Sequence, residues 1–120
     1  MQELPYKRTD RVGKQIKELL GQIALKNIDL SHLGFITFTG VYVSRDLRSA
    51  KVFYSVLNPK YTKDELQIAM NDLRKPFRKY IGPELKIKYI PKLKFYFDES
   101  HEYSEKVDKL LKDIKKTTWL

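Results

Sequence analysis

Residues 86–97 alternate with a period of two. Ile87, Tyr89, Pro91, Leu93, Phe95 and Phe97 fall on one side, and Lys86, Lys88, Ile90, Lys92, Lys94 and Tyr96 on the other. Successive side chains of a strand point to opposite faces, so this spacing predicts a strand with one apolar face and one lysine-rich face. A sheet built on it needs cover on one side. That cover has to come from elements with an apolar stripe of their own. Pro91 has no N–H for a ladder, which predicts an edge position or a local bulge.

The rest of the chain supplies such elements. Over residues 9–26, Val12, Ile16, Leu19, Leu20 and Ile23 recur at helical spacing, with Thr9 or Asp10 as the expected N-cap. Lys7, Arg11, Lys14 and Lys17 share the opposite side of a helix that reaches back to Lys7. Residues 35–44 and 50–57 are rich in β-branched and aromatic residues and read as two strands. The short polar link Arg45-Asp46-Leu47-Arg48-Ser49 predicts an antiparallel hairpin, with Asp46 bonded within the turn.

Thr62-Lys63-Asp64-Glu65 has capping-box spacing and opens a second helix. Its stripe runs through Leu66, Met70, Leu73 and Phe77 to Ile81, and stops at Gly82-Pro83, where a left-handed glycine is expected. Pro76 lies inside this run. It lacks the amide that would bond the Asp72 carbonyl, which predicts a kink over residues 72–76. A last helix is expected over residues 101–115, with Tyr103, Val107, Leu110, Leu111 and Ile114 on one side. Most of Phe35, Phe38, Tyr42, Phe53 and Tyr54 are assigned to the core, whereas Tyr96 is assigned to the exposed lysine face.

The chain has 120 residues, the size of one domain, with a core expected over about residues 8–115. No apolar run approaches the roughly 20 residues of a membrane span. The first residues lack the apolar stretch of a secretory signal, and there is no cysteine. A cytoplasmic monomer is therefore the expectation. The net charge of +9 and pI near 9.6 favour an anionic partner, chiefly nucleic acid. The charge is also localised: residues 74–94 hold eight basic residues and one acid, Glu84.

The order helix, strand, strand, kinked helix, strand, helix predicts an α+β domain, with a three-stranded sheet covered by helices on one face. It matches the type II KH-like fold (αββααβ plus a C-terminal helix). More specifically, Arg11-Val-Gly-Lys-Gln-Ile-Lys-Glu-Leu-Leu20 is similar to the first helix of the ribosome-binding factor A family. Val41-Tyr-Val-Ser-Arg-Asp-Leu-Arg-Ser-Ala-Lys-Val52 resembles that family's hairpin signature, and Phe77-Arg78 with residues 86–98 resembles its closing helix and last strand. The resemblance implies a non-enzymatic factor that binds 16S rRNA on free small ribosomal subunits or their precursors. Such factors assist late rRNA processing and folding, often in the cold, and leave before translation. A generic KH-like single-stranded RNA binder, or a permanent ribosomal component, is the alternative. The chain lacks the Gly-x-x-Gly loop of standard KH domains. It also carries Leu73-Arg74-Lys75 before Pro76 where the family has Ala-x-Gly, so charge has to serve there in place of close backbone approach.

The expected RNA-binding residues are Arg8, Arg11, Lys14, Arg45, Arg48, Lys75, Arg78 and Lys79. A second tier comprises Lys17, Arg74, Lys86, Lys88, Lys92, Lys94 and Tyr96. No catalytic residue, metal or cofactor is expected. The two histidines, His32 and His101, fall in a loop and at a helix start, without the partners that catalysis or metal binding needs.

Overall fold

The computed structural model describes residues 8–99. The predicted last helix, over 101–115, lies outside the described residues. The order is α1 (Arg8–Lys26), β1 (Phe35–Val43), β2 (Ser49–Leu57), α2 (Lys63–Asp72), α3 (Arg74–Ile81), a 3-10 turn (Gly82–Glu84) and β3 (Lys92–Phe97). The sheet order is β1-β2-β3, with β1 antiparallel and β3 parallel to the central β2. This is the expected α+β arrangement, with a mixed sheet.

α1 buries Val12, Ile16, Leu20 and Ile23. It lies so close to β1 that a Cβ on Gly13 would come within 2.7 Å of the Val41 carbonyl oxygen. The described part of the helix begins at Arg8, so Thr9 and Asp10 lie inside it and neither is the N-cap. Asp10 still places an acid at the positive end of the helix dipole.

The covered face of the sheet carries Phe38, Ala50, Val52, Tyr54, Leu93 and Phe95. Phe77 of α3 meets Phe38 edge-on, with ring centres 5.9 Å apart, and Phe95 at 5.5 Å. These three rings join hairpin, helix and last strand. Tyr54 is fully buried, and its hydroxyl donates to Gln67 Oε1 of α2 at 3.0 Å.

The capping box forms as expected. The Glu65 N–H donates to Thr62 Oγ1 at 3.2 Å, and the Thr62 N–H donates to Glu65 Oε1 at 3.0 Å. The kink also forms: Leu73, at φ −91° and ψ 5°, separates α2 from α3. Pro76 is the third residue of α3, where its missing amide is one that a first turn leaves without an intrahelical partner.

Three further expectations need correction. Gly82 is right-handed, at φ −47° and ψ −56°, and the chain continues into the 3-10 turn. A Cβ there would come within 2.9 Å of Ile90 Cδ1, so the end of that side chain would have to shift to admit another residue. The third strand starts at Lys92, and residues 86–91 are bends and loop. Arg78 takes the carbonyls of that stretch: its Nη2 donates to Ile90 O at 3.0 Å and its Nε to Pro91 O at 3.2 Å. Pro91 is buried just ahead of the ladder, which the Lys92 N–H begins by donating to Arg48 O at 2.9 Å.

The third correction concerns the aromatics. Phe38 and Tyr54 are core and Phe53 is half-buried, but Phe35 and Tyr42 are 69% and 66% exposed. Phe38 and Tyr42, four residues apart, would share a face in an unbroken strand. The register shifts between Phe38 and Gly40, leaving Thr39 as an extra residue, and the alternation reverses.

Candidate nucleic-acid interface

Asp46 builds the hairpin turn. Its Oδ1 accepts from the Ser44 hydroxyl at 2.6 Å and from the Arg48 N–H at 3.1 Å. These bonds, the Ser44 one foremost, hold its carboxyl below the usual carboxylate range. Leu47 completes the turn at φ 61°, in the left-handed region that few L-residues adopt. Arg45 and Arg48 are thereby held at an exposed tip.

Two other segments converge on that tip. Arg8, at the start of α1, shares a cavity of about 330 Å³ with Leu47, Arg48, Lys88 and Tyr89. A second recess, of about 300 Å³, lies between Arg48, Arg78, Tyr89, Ile90 and Lys92. Tyr89 stands between two cations. The Arg48 guanidinium carbon is 5.5 Å from its ring centre, and Lys88 Nζ is 5.4 Å away. Among the described residues, the single acid lining either recess, Asp46, is engaged inside its own turn. One end of the domain is therefore strongly electropositive, with an exposed aromatic ring at its centre.

Arg8, Arg48, Arg78, Lys88 and Lys92 are thus brought together. Arg78 is half-buried, and its two bonds to the 90–91 carbonyls make it the group that holds the Tyr89 loop in place. Other expected residues lie elsewhere. Arg11 and Lys14 line a shallow recess with Gln15 and Glu18 on α1. Lys14 and Lys17 also flank a groove of about 560 Å³ between α1 and β1. Lys75 and Lys79 are exposed on α3, and Arg74 Nε donates to Asn71 O at 2.8 Å. Lys86 is exposed in the loop before β3.

Lys94 and Tyr96 belong to a different surface, the face of the sheet that none of the described helices covers. Register places Tyr42, Lys51 and Lys94 on one rung and Gly40, Phe53 and Tyr96 on the next. The rings are joined. Phe53 and Tyr96 stack with centres 5.6 Å apart and planes at 29°, and Tyr42 meets Phe53 edge-on at 5.6 Å.

Tyr89, Tyr42, Phe53 and Lys51 were absent from the sequence-based set. The alternation alone puts Tyr89 on a covered strand face, although Pro91 marks where that strand can fail. Tyr42 was lost to the bulge.

The comparisons with known proteins agree with this architecture. The family model described as ribosome-binding factor A matches residues 8–111. The ribosome-binding factor A of Thermodesulfovibrio yellowstonii is 46% identical over 114 residues, covering 95% of this chain and 96% of that one. Among solved structures, a Thermotoga maritima protein assigned to the same family superposes with a TM-score of 0.63 at 28% identity, over 79% of this chain and 91% of that one. A model of the Thermus thermophilus factor, fitted into a cryo-EM map of its complex with the 30S subunit, shares the fold. Its TM-score is 0.55 at 17% identity, over 72% of this chain and 91% of that one. From the first turn of α1 through the last strand, with hairpin signature and broken second helix in place, this chain belongs to the ribosome-binding factor A family.

Proposed function

We propose that this chain is an assembly factor of the small ribosomal subunit. It binds free small subunits or their precursors, assists late maturation of 16S rRNA, and leaves before translation. The observation that carries this reading is the electropositive end, where Arg8, Arg48, Lys88 and Lys92 surround Tyr89 on a family fold whose relatives are named as ribosome-binding factors. The Thermus thermophilus relative, fitted as a complex with the 30S subunit, supplies the partner.

The chemistry is that of a binder in the cytoplasm, acting as a single-domain monomer without catalysis. Cations on three segments neutralise phosphates, while Tyr89 offers a ring face to an unpaired base. Backbone contacts of this kind fix position and carry little sequence preference. Arg11, Lys14, Arg45, Lys75 and Lys79 extend the positive field around this centre.

Fractionation of cell extract on a sucrose gradient tests the reading. The protein is expected with free small subunits and depleted from translating ribosomes. Constant occupancy of translating ribosomes would make it a permanent component instead, and absence from every ribosomal fraction would refute the proposal.

A further inference from the structure

The sheet face that the described helices leave open carries a feature that the electropositive end does not need. Phe53 and Tyr96 lie stacked side by side on neighbouring strands, and Tyr42 extends the row across β1. Gly40, opposite Phe53, makes the row continuous. A Cβ there would come within 3.3 Å of the Tyr42 ring, so the missing side chain leaves room for that ring to lean toward Phe53. Three aromatic side chains thus span all three strands on the side away from the described helices.

Charge surrounds this row. Lys51 and Lys94 occupy the adjoining rung and Lys92 lies opposite Ser49 on the next; all three lysines are exposed. Lys94 Nζ stands 5.7 Å from the Tyr96 ring centre. Asp98, two residues beyond Tyr96, has its carboxylate engaged by the Thr39 hydroxyl at 2.5 Å. A covered core has no use for exposed lysines, and a solvated face has no use for a row of joined rings. Aromatic rings bordered by cations suit a ligand with flat apolar faces and a regularly charged backbone.

We propose that this face is a second nucleic-acid contact, a platform on which unpaired bases of a single-stranded RNA segment stack. Phe53, Tyr96 and Tyr42 supply ring surface, while Lys51, Lys92 and Lys94 pair with the phosphates between the bases. Stacking is tolerant of sequence because every base has a π-face. Lys92 also lines the recess beside Tyr89, so one strand of RNA has a continuous path from the hairpin tip onto the sheet. The inference rests on the reading of this chain as an RNA binder, but concerns a separate surface.

The test compares two probes of equal length and charge, an oligouridylate and its abasic counterpart, against the full-length protein. The wild type is expected to bind the oligouridylate about tenfold more tightly. Tyr42→Ala/Tyr96→Ala is expected to lose that preference while keeping the salt dependence of binding. Tyr42→Ala alone, at the most exposed ring, guards against a folding defect and is expected to lose part of the preference. Arg48→Ala/Lys88→Ala is expected to weaken both probes equally. Equal wild-type affinity for the two probes, or a preference that survives both tyrosine variants, overturns the platform. So does self-association of the protein through this face that the tyrosine variants abolish with no change in RNA binding. Small-subunit binding that persists through such a result leaves the proposed function standing, whereas a wild type that binds neither probe nor subunit overturns both.

Discussion

Asn71 grips Phe95 by both ends of its amide: Oδ1 accepts from the Phe95 N–H at 3.0 Å, and Nδ2 donates to the Phe95 carbonyl at 3.1 Å. This is the pattern that a neighbouring strand would offer. β3 is an edge strand, and its outward backbone groups would otherwise be open to another chain. Gln67 continues the arrangement, donating to the Phe95 carbonyl and accepting from the Phe97 N–H at 3.2 Å. α2 thus serves as a substitute fourth strand built from two side chains.

Asn71→Ala is therefore expected to destabilise the domain by about 1–3 kcal/mol, the cost of leaving part-buried backbone groups unpaired. Asn71→Asp keeps the shape but loses the donor, and is expected to cost a similar amount. Urea unfolding monitored by circular dichroism measures both. A midpoint unchanged in the two variants would show that water satisfies Phe95 equally well.

Truncation of the ring that joins three elements is expected to cost more. Phe77→Ala removes a fully buried side chain that touches Phe38 and Phe95, at about 3–5 kcal/mol. Calorimetry should show a large drop in Tm, and a drop of only a degree or two would contradict the assigned core.

Pro76→Ala restores an N–H four residues after Asp72. It is expected to bond the Asp72 carbonyl and to shorten the break at Leu73, visible as new hydrogen-exchange protection at residue 76. An unprotected amide at that position would show that the packing of Phe77, rather than proline, sets the bend.

Tyr54 gives the fold an alkaline limit. Burial pushes its pKa up to about 12 from an ordinary value of 10.0. The raised value favours the neutral phenol in the fold. Its contribution is therefore fully present below about pH 10 and is lost as the pH rises toward about 12. Tyr54→Phe should flatten this part of the stability–pH curve, at a neutral-pH cost of about 1 kcal/mol for the bond to Gln67. Superimposable alkaline unfolding curves for the two proteins would contradict the assignment.

Binding to precursor rRNA should weaken linearly on a log–log salt plot. If about five phosphates are engaged on a single strand, the slope is roughly −3.5. Arg45→Ala/Arg48→Ala should reduce the slope without lowering Tm, because both residues are exposed and such charges add little stability. A double variant that keeps the full slope would remove the hairpin tip from the interface.

Features with a local cause were legible in the sequence. The capping box at Thr62, the break ahead of Pro76, the turn bonds of Asp46 and the inward set of Leu93 and Phe95 all follow from neighbours in the chain. The misreadings share a tertiary cause. Residues 86–90 keep strand-like alternation, yet they form bends and loop with Tyr89 exposed, and the Ile90 and Pro91 carbonyls accept from the Arg78 guanidinium. Gly82 keeps right-handed angles and lies against the end of the Ile90 side chain, a contact that no helix-ending rule contains. The electropositive end was predicted as a set of cations. Its assembly around one tyrosine needed the structure.

The parallel pairing of β2 with β3 has a consequence for how the chain acquires its activity. A hairpin closes locally and fast, but a parallel partner arrives only after an intervening helical crossover has folded and docked, so its contacts form late. Lys92 beside Arg48, and Tyr96 on Phe53, both belong to that late pairing. Until that strand docks, neither surface is complete. On the proposed reading of these two surfaces, competence to hold RNA would follow completion of the sheet.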